Sequence, residues 1–334
     1  MTDDKQLGVL DRIQPLLLIS AIAAGLMLAW FLPGFGAQLL PVVTVGVFLV
    51  IYLIMLGTDL GGILHAFTRW KPTALAIGIN FVITPLFAWL LGYLLLREDP
   101  EIWAGLILYL VTPCIGWYLV FTELAKGDVE LGVSLLAWNV VLQVLLMPVY
   151  MKLLAGTVVH IELPDILRSV AVFLVIPLGL AFITRRAMHR MKVEFDALAS
   201  RVKLPYIKTV ILMAVIAAMF ASQGNVLFES PALIIKMIVP GLAFFFGAFL
   251  LSLAAGRLFN LNYPEVALLA FTTTARNSEA SLAIAVTAFA SPLVALTVVI
   301  GPSIELPVLI LFLRTLLWLQ EKHVFRPPSS HNGA

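Results

Sequence analysis

Ten apolar stretches, each long enough to cross a lipid bilayer as a helix, dominate this sequence and limit what it can fold into. A helical span needs about 20 mostly apolar residues. Only 12% of the 334 residues are charged, whereas soluble domains carry about 25%, so the bilayer must solvate the apolar surface. We predict an all-α membrane protein with spans at residues 13–33, 39–57, 72–96, 102–123, 130–154, 164–184, 204–222, 232–254, 264–289 and 292–318.

The basic residues between these spans predict the orientation, because loops rich in Lys and Arg face the cytoplasm. They concentrate in the N-terminus, in alternate loops and in the C-terminal tail: Lys5, Arg12, Arg69, Lys71, Lys126, Arg185, Arg186, Arg190, Lys192, Arg201, Lys203, Arg257, Lys322 and Arg326. Arg97 breaks the pattern, and it lies beside Glu98, Asp99 and Glu101. We therefore predict a multi-pass protein of the cell inner membrane with both termini in the cytoplasm.

The number of spans predicts an internal repeat within a single membrane domain that covers residues 1–334. Ten spans divide into two halves of five, approximately residues 12–154 and 164–318. Because five is odd, the second half enters the membrane from the opposite side. Inverted repeats of this kind are common in secondary transporters, whose binding sites lie near the midplane where discontinuous helices meet.

Two spans in matching positions of the two halves are interrupted by polar residues, proline or glycine. The fourth span contains Thr112, Pro113, Cys114 and Gly116, and the ninth contains the polar run of residues 272–281. Irregular backbone at membrane depth is tolerated only beside protein or a water-filled cavity. We therefore predict that the fourth and ninth helices are discontinuous and cross each other.

Arg276 and Glu279 are charged residues deep in the ninth span, beside Asn277 and Ser278. A charge at that depth costs at least about 2.5–3.5 kcal/mol, so it is usually paired or functional. Their spacing would allow a structural ion pair on one helical face. Alternatively, Glu279 carries a proton or a cation, and Arg276 contacts an anion or acts as a tethered counter-charge.

Other polar residues within the spans allow two interpretations each. Cys114 is either a small buried apolar residue or a ligand placed at the helix break. Glu305, between Pro302 and Pro307, is either a second titrating group or a partner for backbone groups that the prolines free. Asn139 is either an interhelical hydrogen-bonding residue or part of a binding site.

Interhelical bonding is also the expected role of Asn80 and Gln143.

Several function classes lack their sequence signatures. With Cys114 as the single cysteine, the chain has neither an intrachain disulfide nor a multi-cysteine metal site. It has no Walker A motif, no enzyme signature, and no basic stripe of the kind that binds nucleic acid. We predict no enzyme activity, no cofactor and no resident metal. The expected partners are the lipid bilayer, protons and a small-molecule substrate.

Sequence motifs in four spans and one loop resemble the bile acid:sodium symporter superfamily, and most closely its arsenite-permease branch. The resemblance rests on Thr112-Pro-Cys114 followed by Leu124-Ala-Lys-Gly-Asp128, on Asn139 with Gln143 and Pro148, on Leu282-Ala-Ile-Ala-Val286, and on Gly301-Pro-Ser-Ile-Glu-Leu-Pro-Val308. It covers nearly the whole chain. The resemblance implies ten helices divided into a panel domain and a core domain, with the interrupted fourth and ninth helices crossing.

The chain also departs from both branches of that superfamily. Tyr118 and Leu119 occupy the positions of a Ser-Asn pair that helps to bind sodium in the sodium-coupled branch, so we do not expect sodium coupling there. Ser281 occupies the position of the ninth-helix glutamate of the arsenite branch, and the acid of this chain, Glu279, comes two residues earlier. Arg276 is not expected at its position. These differences suggest a divergent subgroup.

The leading functional prediction is a secondary transporter that exports arsenite in exchange for protons. Trivalent arsenic is soft and prefers sulfur ligands, and a single thiol would bind it weakly enough to release it. The candidate substrate-binding residues are Thr112, Pro113, Cys114, Asn139, Arg276, Asn277 and Ser278, and the candidate proton-coupling residues are Glu279 and Glu305.

Two alternatives stay open. The first is a carrier for a small organic anion, since a guanidinium such as that of Arg276 binds carboxylates bidentately. The second is a membrane receptor or scaffold that transports nothing, although the sequence contains no soluble output domain.

Overall fold

The computed structural model describes residues 17, 20–32, 35–57, 69–115, 117–159, 163–191, 198, 203–229, 232–289 and 291–326. Within these residues the secondary structure is helical, and the bridges between extended residues are isolated pairs. The α-helices are α1 (Ser20–Phe31), α2 (Leu40–Gly57), α3 (Trp70–Gly78), α4 (Thr84–Leu95), α5 (Pro100–Leu110), α6 (Trp117–Leu124), α7 (Val129–Leu153), α8 (Leu163–Val170), α9 (Ile176–Arg190), α10 (Leu204–Glu229), α11 (Ala232–Leu258), α12 (Tyr263–Thr274), α13 (Ser278–Ala288) and α14 (Pro292–Glu321).

The all-helical prediction is confirmed, and each predicted span contains at least one helical segment. Five segments are long and apolar enough to cross a bilayer: Trp70–Leu95, Val129–Thr157, Leu167–Arg190, Ile235–Leu258 and Pro292–Glu321. α10 and α11 extend beyond the predicted span ends at residues 222 and 254. The prediction ended each span where polar residues begin, but a helix can continue through polar residues because its backbone hydrogen bonds are made within the helix. Residues 13–16, 18, 19 and 33 of the first predicted span, and residue 116 of the fourth, lie outside the described residues.

The third span contains a π turn, Ile79–Ile83, between α3 and α4. Pro85 has no backbone N–H, so it leaves the carbonyl four residues earlier without its helical donor. That carbonyl belongs to Phe81, and it accepts a 2.5 Å hydrogen bond from the Tyr150 hydroxyl on α7. Asn80 lies within the π turn and is fully buried. π turns are frequent at functional sites, and this one contributes Asn80 to the site described below.

The helices pack in two neighbourhoods. In the first, α2 packs against α9 and α10, and α1 joins α10 through an edge-to-face contact between Trp30 and Phe228. In the second, α5 packs along α14, and α11 packs along α12 and α14. α13 contacts α2 and α8 as well as α14. The second half of the ninth span therefore lies between the two neighbourhoods.

Ion pairs tie helix ends together on both sides of the molecule. Arg69, just before α3, donates to Asp128 and, over 2.5 Å, to Glu265. Both acids lie at helix N-termini, of α7 and α12, where the helix dipole favours negative charge. The other pair lies on the opposite side of the molecule. Lys236, near the start of α11, pairs at 2.6 Å with Asp99, which precedes α5, whereas the end of α11 leads into α12 and Glu265. These contacts fix the relative positions of the helices that carry the site.

Candidate functional site

The fourth and ninth spans are both discontinuous, as predicted. The fourth consists of α5, which ends at Leu110, and α6, which begins at Trp117. The ninth consists of α12, which ends at Thr274, and α13, which begins at Ser278. The helix ends therefore leave backbone groups without intrahelical partners, and the residues of the breaks must satisfy them.

The two breaks meet and bond to each other through their backbones. Pro113 and Arg276 form an isolated antiparallel bridge. The N–H of Cys114 donates to the Ala275 carbonyl over 3.1 Å, and the N–H of Asn277 donates to the Thr112 carbonyl over 2.8 Å. The predicted crossing of the two interrupted helices is confirmed.

Hydroxyl and amide side chains reinforce this crossing. The Thr112 and Ser281 hydroxyls lie 2.5 Å apart, and the Thr112 hydroxyl also donates to the Tyr109 carbonyl over 2.8 Å. The side-chain oxygen of Asn277 accepts the N–H of Ala280 over 3.1 Å and so caps α13. Ser278, the first residue of α13, is partly exposed. Three predicted site residues, Thr112, Asn277 and Ser278, thus lie together at the crossing.

Arg276 is buried at the centre of the crossing, with 2% of its surface exposed. Its Nη1 donates to the Leu110 carbonyl over 2.9 Å, and its Nη2 donates to the Asn80 side-chain oxygen over 3.0 Å. Further bonds reach the carbonyls of Thr273 and, over 3.3 Å, Thr274. Each nitrogen of the guanidinium therefore donates to an uncharged oxygen of the protein.

The aromatic ring of Phe244, on α11, lies beneath the Arg276 guanidinium, 5.3 Å from it. This is within the distance at which a ring attracts a cation.

Glu305 is buried in α14 and contacts the ninth span. One carboxylate oxygen accepts the backbone N–H of Arg276 over 3.1 Å, and the other accepts the Tyr109 hydroxyl. The carboxylate therefore satisfies a backbone group that the break in the ninth span frees. One interpretation of the sequence pairs Glu305 with backbone groups freed by Pro302 and Pro307, whereas the backbone N–H that it accepts here belongs to Arg276 in the ninth span.

Cys114 and Asn139 are neighbours at the crossing, and both are buried. The Asn139 side-chain nitrogen lies 3.4 Å from the Cys114 carbonyl and 3.4 Å from the Thr272 hydroxyl. Asn139 thus links α7 to both breaks, which agrees with the interhelical role considered for it. Gln143, one turn further along α7, accepts from the Asn277 side chain over 3.5 Å.

The backbone of Glu279 belongs to α13, whereas its side chain lies outside the described part of the structure. The predicted pairing of Glu279 with Arg276 therefore stays a prediction. Each of the three guanidinium nitrogens of Arg276 already donates to an oxygen atom, so its hydrogen bonding does not depend on an ion pair with Glu279.

Sequence reasoning missed two residues that matter here, Tyr109 and Phe244. Each lies in an uninterrupted apolar stretch with no neighbouring polar residue to mark it. For Tyr109 a weak signal exists, since it precedes Pro113 by four residues, but nothing in the sequence links it to Glu305. The role of Asn80 in interhelical bonding was expected and is confirmed, because Asn80 also donates to the Thr272 carbonyl over 3.0 Å.

Comparison with known proteins agrees with this geometry. The profile of the Sodium Bile acid symporter family matches residues 44–230. The chain is 30% identical to the arsenical-resistance protein Acr3 of Corynebacterium glutamicum, over 98% of this chain and 94% of that protein. This chain belongs to the sodium bile acid symporter family. The resemblance drawn from the motifs is thereby confirmed, and the chain is a multi-pass membrane protein of a transporter family.

Two further relatives extend the comparison. The arsenical-resistance protein Acr3 of Alkaliphilus metalliredigens is 24% identical over 96% of each chain. The protein YbaS of Bacillus subtilis, described as uncharacterized, is 28% identical over 86% of this chain and 91% of its own length. This member of the symporter family is therefore similar, over nearly its full length, to proteins named for arsenical resistance.

Tyr118, one of the two positions that differ from the sodium-coupled branch, packs between α6 and α7 in this family member. Tyr118 is fully buried in α6, and its hydroxyl donates to the Gly132 carbonyl on α7 over 2.5 Å. The phenol thus fills space between the two helices and uses its own donor there. Among the described residues, no group of three or more His, Cys, Asp or Glu side chains could hold a metal ion.

A cavity of about 470 Å³ opens beside the ends of α5 and α13. Glu98, Asp99, Glu101, Phe289 and Leu293 are among the residues that line it. Three carboxylates thus border an opening at the end of the half-helix that begins at the crossing.

Proposed function

We propose that this protein is a secondary active transporter that exports arsenite in exchange for protons, with the substrate bound at the crossing of the two interrupted helices. The observation that carries the proposal is the position of Cys114. The chain's single thiol lies in the broken segment of the fourth span and is tied by its backbone to the ninth. Sulfur is the ligand that soft trivalent arsenic prefers.

The proposed substrate site consists of Cys114, Thr112, Pro113, Asn139, Asn277 and Ser278. One thiol with neutral hydroxyl and amide neighbours suits arsenous acid, which is uncharged at neutral pH. Similarity to two proteins named for arsenical resistance supports the same substrate. Glu305 and Glu279 are the proposed proton-coupling residues. Glu305 is a buried carboxylate that directly contacts the break in the ninth span, through the backbone N–H of Arg276.

The bonding of Arg276 favours this substrate over an organic anion. A guanidinium that grips a carboxylate does so with a pair of free donors. In this structure the guanidinium donors of Arg276 face the oxygens of Leu110, Thr274 and Asn80. We therefore assign Arg276 to the framework of the site and not to the substrate.

The proposal includes the finer architecture. Ten spans form two inverted repeats, residues 12–154 and 164–318, within one polytopic domain whose termini both face the cytoplasm. The two packing neighbourhoods support a panel of spans one, two, six and seven and a core of the other six. The acidic cavity beside α13 is the proposed outward opening, because the basic loops lie at the other end of the helices.

Substitution of Cys114 tests the proposal in everted membrane vesicles. We expect Cys114→Ser and Cys114→Ala to reduce proton-driven arsenite accumulation at least tenfold while the protein stays folded in the membrane. Serine is close to cysteine in size but is more polar, and alanine is apolar but smaller, so a loss shared by both variants assigns the effect to sulfur. The same vesicles are offered a panel of small carboxylates. Unchanged arsenite transport by well-expressed variants, or transport of a carboxylate instead, would contradict the proposal.

A further inference from the structure

The ends of two half-helices form a cage of oxygen atoms around Arg276. In a continuous helix, the N–H of Cys114 would bond to the Leu110 carbonyl and that of Asn277 to the Thr273 carbonyl. Here both N–H groups are used in the bridge between the breaks. The carbonyls they abandon are the ones that accept from the Arg276 guanidinium. The crossing therefore forms the cage and, at the same time, leaves its carbonyls without their helical donors.

The electrostatics of this cage favour a cation. Carbonyls at a helix C-terminus carry the negative end of the helix dipole, and here α5 and α12 both end at the same point. The amide oxygen of Asn80, from the π turn, adds another acceptor at 3.0 Å. Phe244 presents its ring to the same charge. Carbonyl and amide oxygens are also the ligands with which broken transporter helices bind small coupling cations.

We propose that this cage is a monovalent-cation site that the protein fills with its own side chain, the guanidinium of Arg276. The charge is supplied covalently, so the crossing is assembled without a free cation. Removal of the guanidinium exposes the carbonyls of Leu110, Thr273 and Thr274 and converts the cage into a binding site for a free cation, with guanidinium itself the best fit. Only the transport measurement below rests on the proposed function; the binding measurement does not.

The test is thermal unfolding of the purified protein in detergent, with titration of guanidinium, sodium, potassium or choline chloride at millimolar concentrations. Arg276→Ala should unfold at a lower temperature than the wild type. A cation that binds the folded state raises the midpoint, by roughly 5 °C at a hundredfold excess over its dissociation constant. We expect a saturable rise for Arg276→Ala with guanidinium, none with choline, and no such rise for the wild type.

Arg185→Ala is the matched control. Arg185 also donates to a backbone carbonyl near a helix end, that of Leu56 over 2.7 Å, but it lies on α9 and away from the crossing. Its removal should not create a response to guanidinium. An Arg276→Ala protein that ignores every cation, or one that responds no more than Arg185→Ala, would overturn the proposal.

Arg276→Lys keeps the test decisive should Arg276→Ala fail to accumulate. An ammonium still supplies the charge, so the lysine variant should fold, and it should respond less to guanidinium than the alanine variant wherever both are available. A lysine variant that fails to fold just as the alanine variant does would show that packing, not charge, is the role of Arg276.

Arsenite transport by the same variants separates the two proposals. Wild-type transport should not require sodium, and guanidinium should restore part of the transport by Arg276→Ala. Suppose that guanidinium raises the unfolding temperature of Arg276→Ala but neither the wild type nor any variant transports arsenite. That result would support the cation cage and refute the arsenite assignment.

Discussion

Individual buried polar residues decide the character of this site, and most of them satisfy one another. Arg276 is charged and almost fully buried, and its bonds go to carbonyl and amide oxygens. Glu305 receives the backbone N–H of the same residue and the Tyr109 hydroxyl. Because an unsatisfied buried polar group costs about 1–3 kcal/mol, each of these partners contributes to stability.

Tyr109→Phe tests the partnership with Glu305. The substitution removes one hydroxyl and leaves a buried carboxylate oxygen without that donor, so we expect the free energy of unfolding to fall by about 1–3 kcal/mol. If Glu305 carries the coupled proton, the pH profile of efflux should also move away from that of the wild type. Chemical or thermal unfolding and efflux at several pH values measure the two effects.

Tyr93→Phe is the control for this experiment, because Tyr93 is 41% exposed on α4 and remote from the crossing. It should change neither stability nor the pH profile. If Tyr109→Phe behaves like Tyr93→Phe, the phenol contributes only packing, and the proton-coupling role of Glu305 loses its structural support.

At the scale of single elements, irregular turns do the positioning. The π turn in the third span exists beside Pro85 and brings Asn80 to the guanidinium. The breaks in the fourth and ninth spans present orphan carbonyls to the same group. At the π turn, the carbonyl that Pro85 leaves without a helical donor is satisfied by Tyr150 from α7. At the breaks, Arg276 donates to carbonyls of both spans.

A double-mutant cycle on Pro85 and Tyr150 tests this account of the π turn. Tyr150→Phe alone should destabilise the protein by about 1–3 kcal/mol, because the Phe81 carbonyl loses its donor. In a Pro85→Ala background the alanine N–H can bond to that carbonyl, so the same substitution should cost much less. Unfolding of the four proteins gives the coupling energy. Additive effects would mean that the hydroxyl does not replace the helical bond.

At the scale of the whole molecule, the sequence predicted the helices, the two breaks and their crossing. Long apolar stretches and the clusters around Pro113 and Arg276 carry that information locally. The bonding of Arg276 is not local, since its partners Leu110 and Asn80 lie 166 and 196 residues away in the chain. The sequence marked Arg276 as important but left open whether it contacts a substrate, Glu279 or the backbone. The packing of four other spans around it shows the contacts with carbonyl and amide oxygens, whereas its pairing with Glu279 stays a prediction.

The proposed orientation is testable with introduced cysteines. Cys114→Ser gives a background without cysteine, to which Glu98→Cys or Glu321→Cys is added. Both positions are exposed: Glu98 lies in the turn between α4 and α5, and Glu321 is the last residue of α14. A membrane-impermeant maleimide should label residue 98 in intact spheroplasts and residue 321 only after permeabilisation, because both termini are proposed to be cytoplasmic. The opposite pattern of labelling would invert the assignment.

The bridge between the breaks has a consequence for how such a protein can diverge. Both of its hydrogen bonds, Cys114 to Ala275 and Asn277 to Thr112, join main-chain atoms. The bridge itself uses no side-chain atom, and the side chains of Arg276 and Thr112 brace the helix ends beside it. Substitutions around the bridge, other than to proline, therefore keep its donors and acceptors. If cargo binds at the crossing as proposed, such a chain is free to exchange its cargo over evolutionary time while the point at which that cargo is held stays fixed.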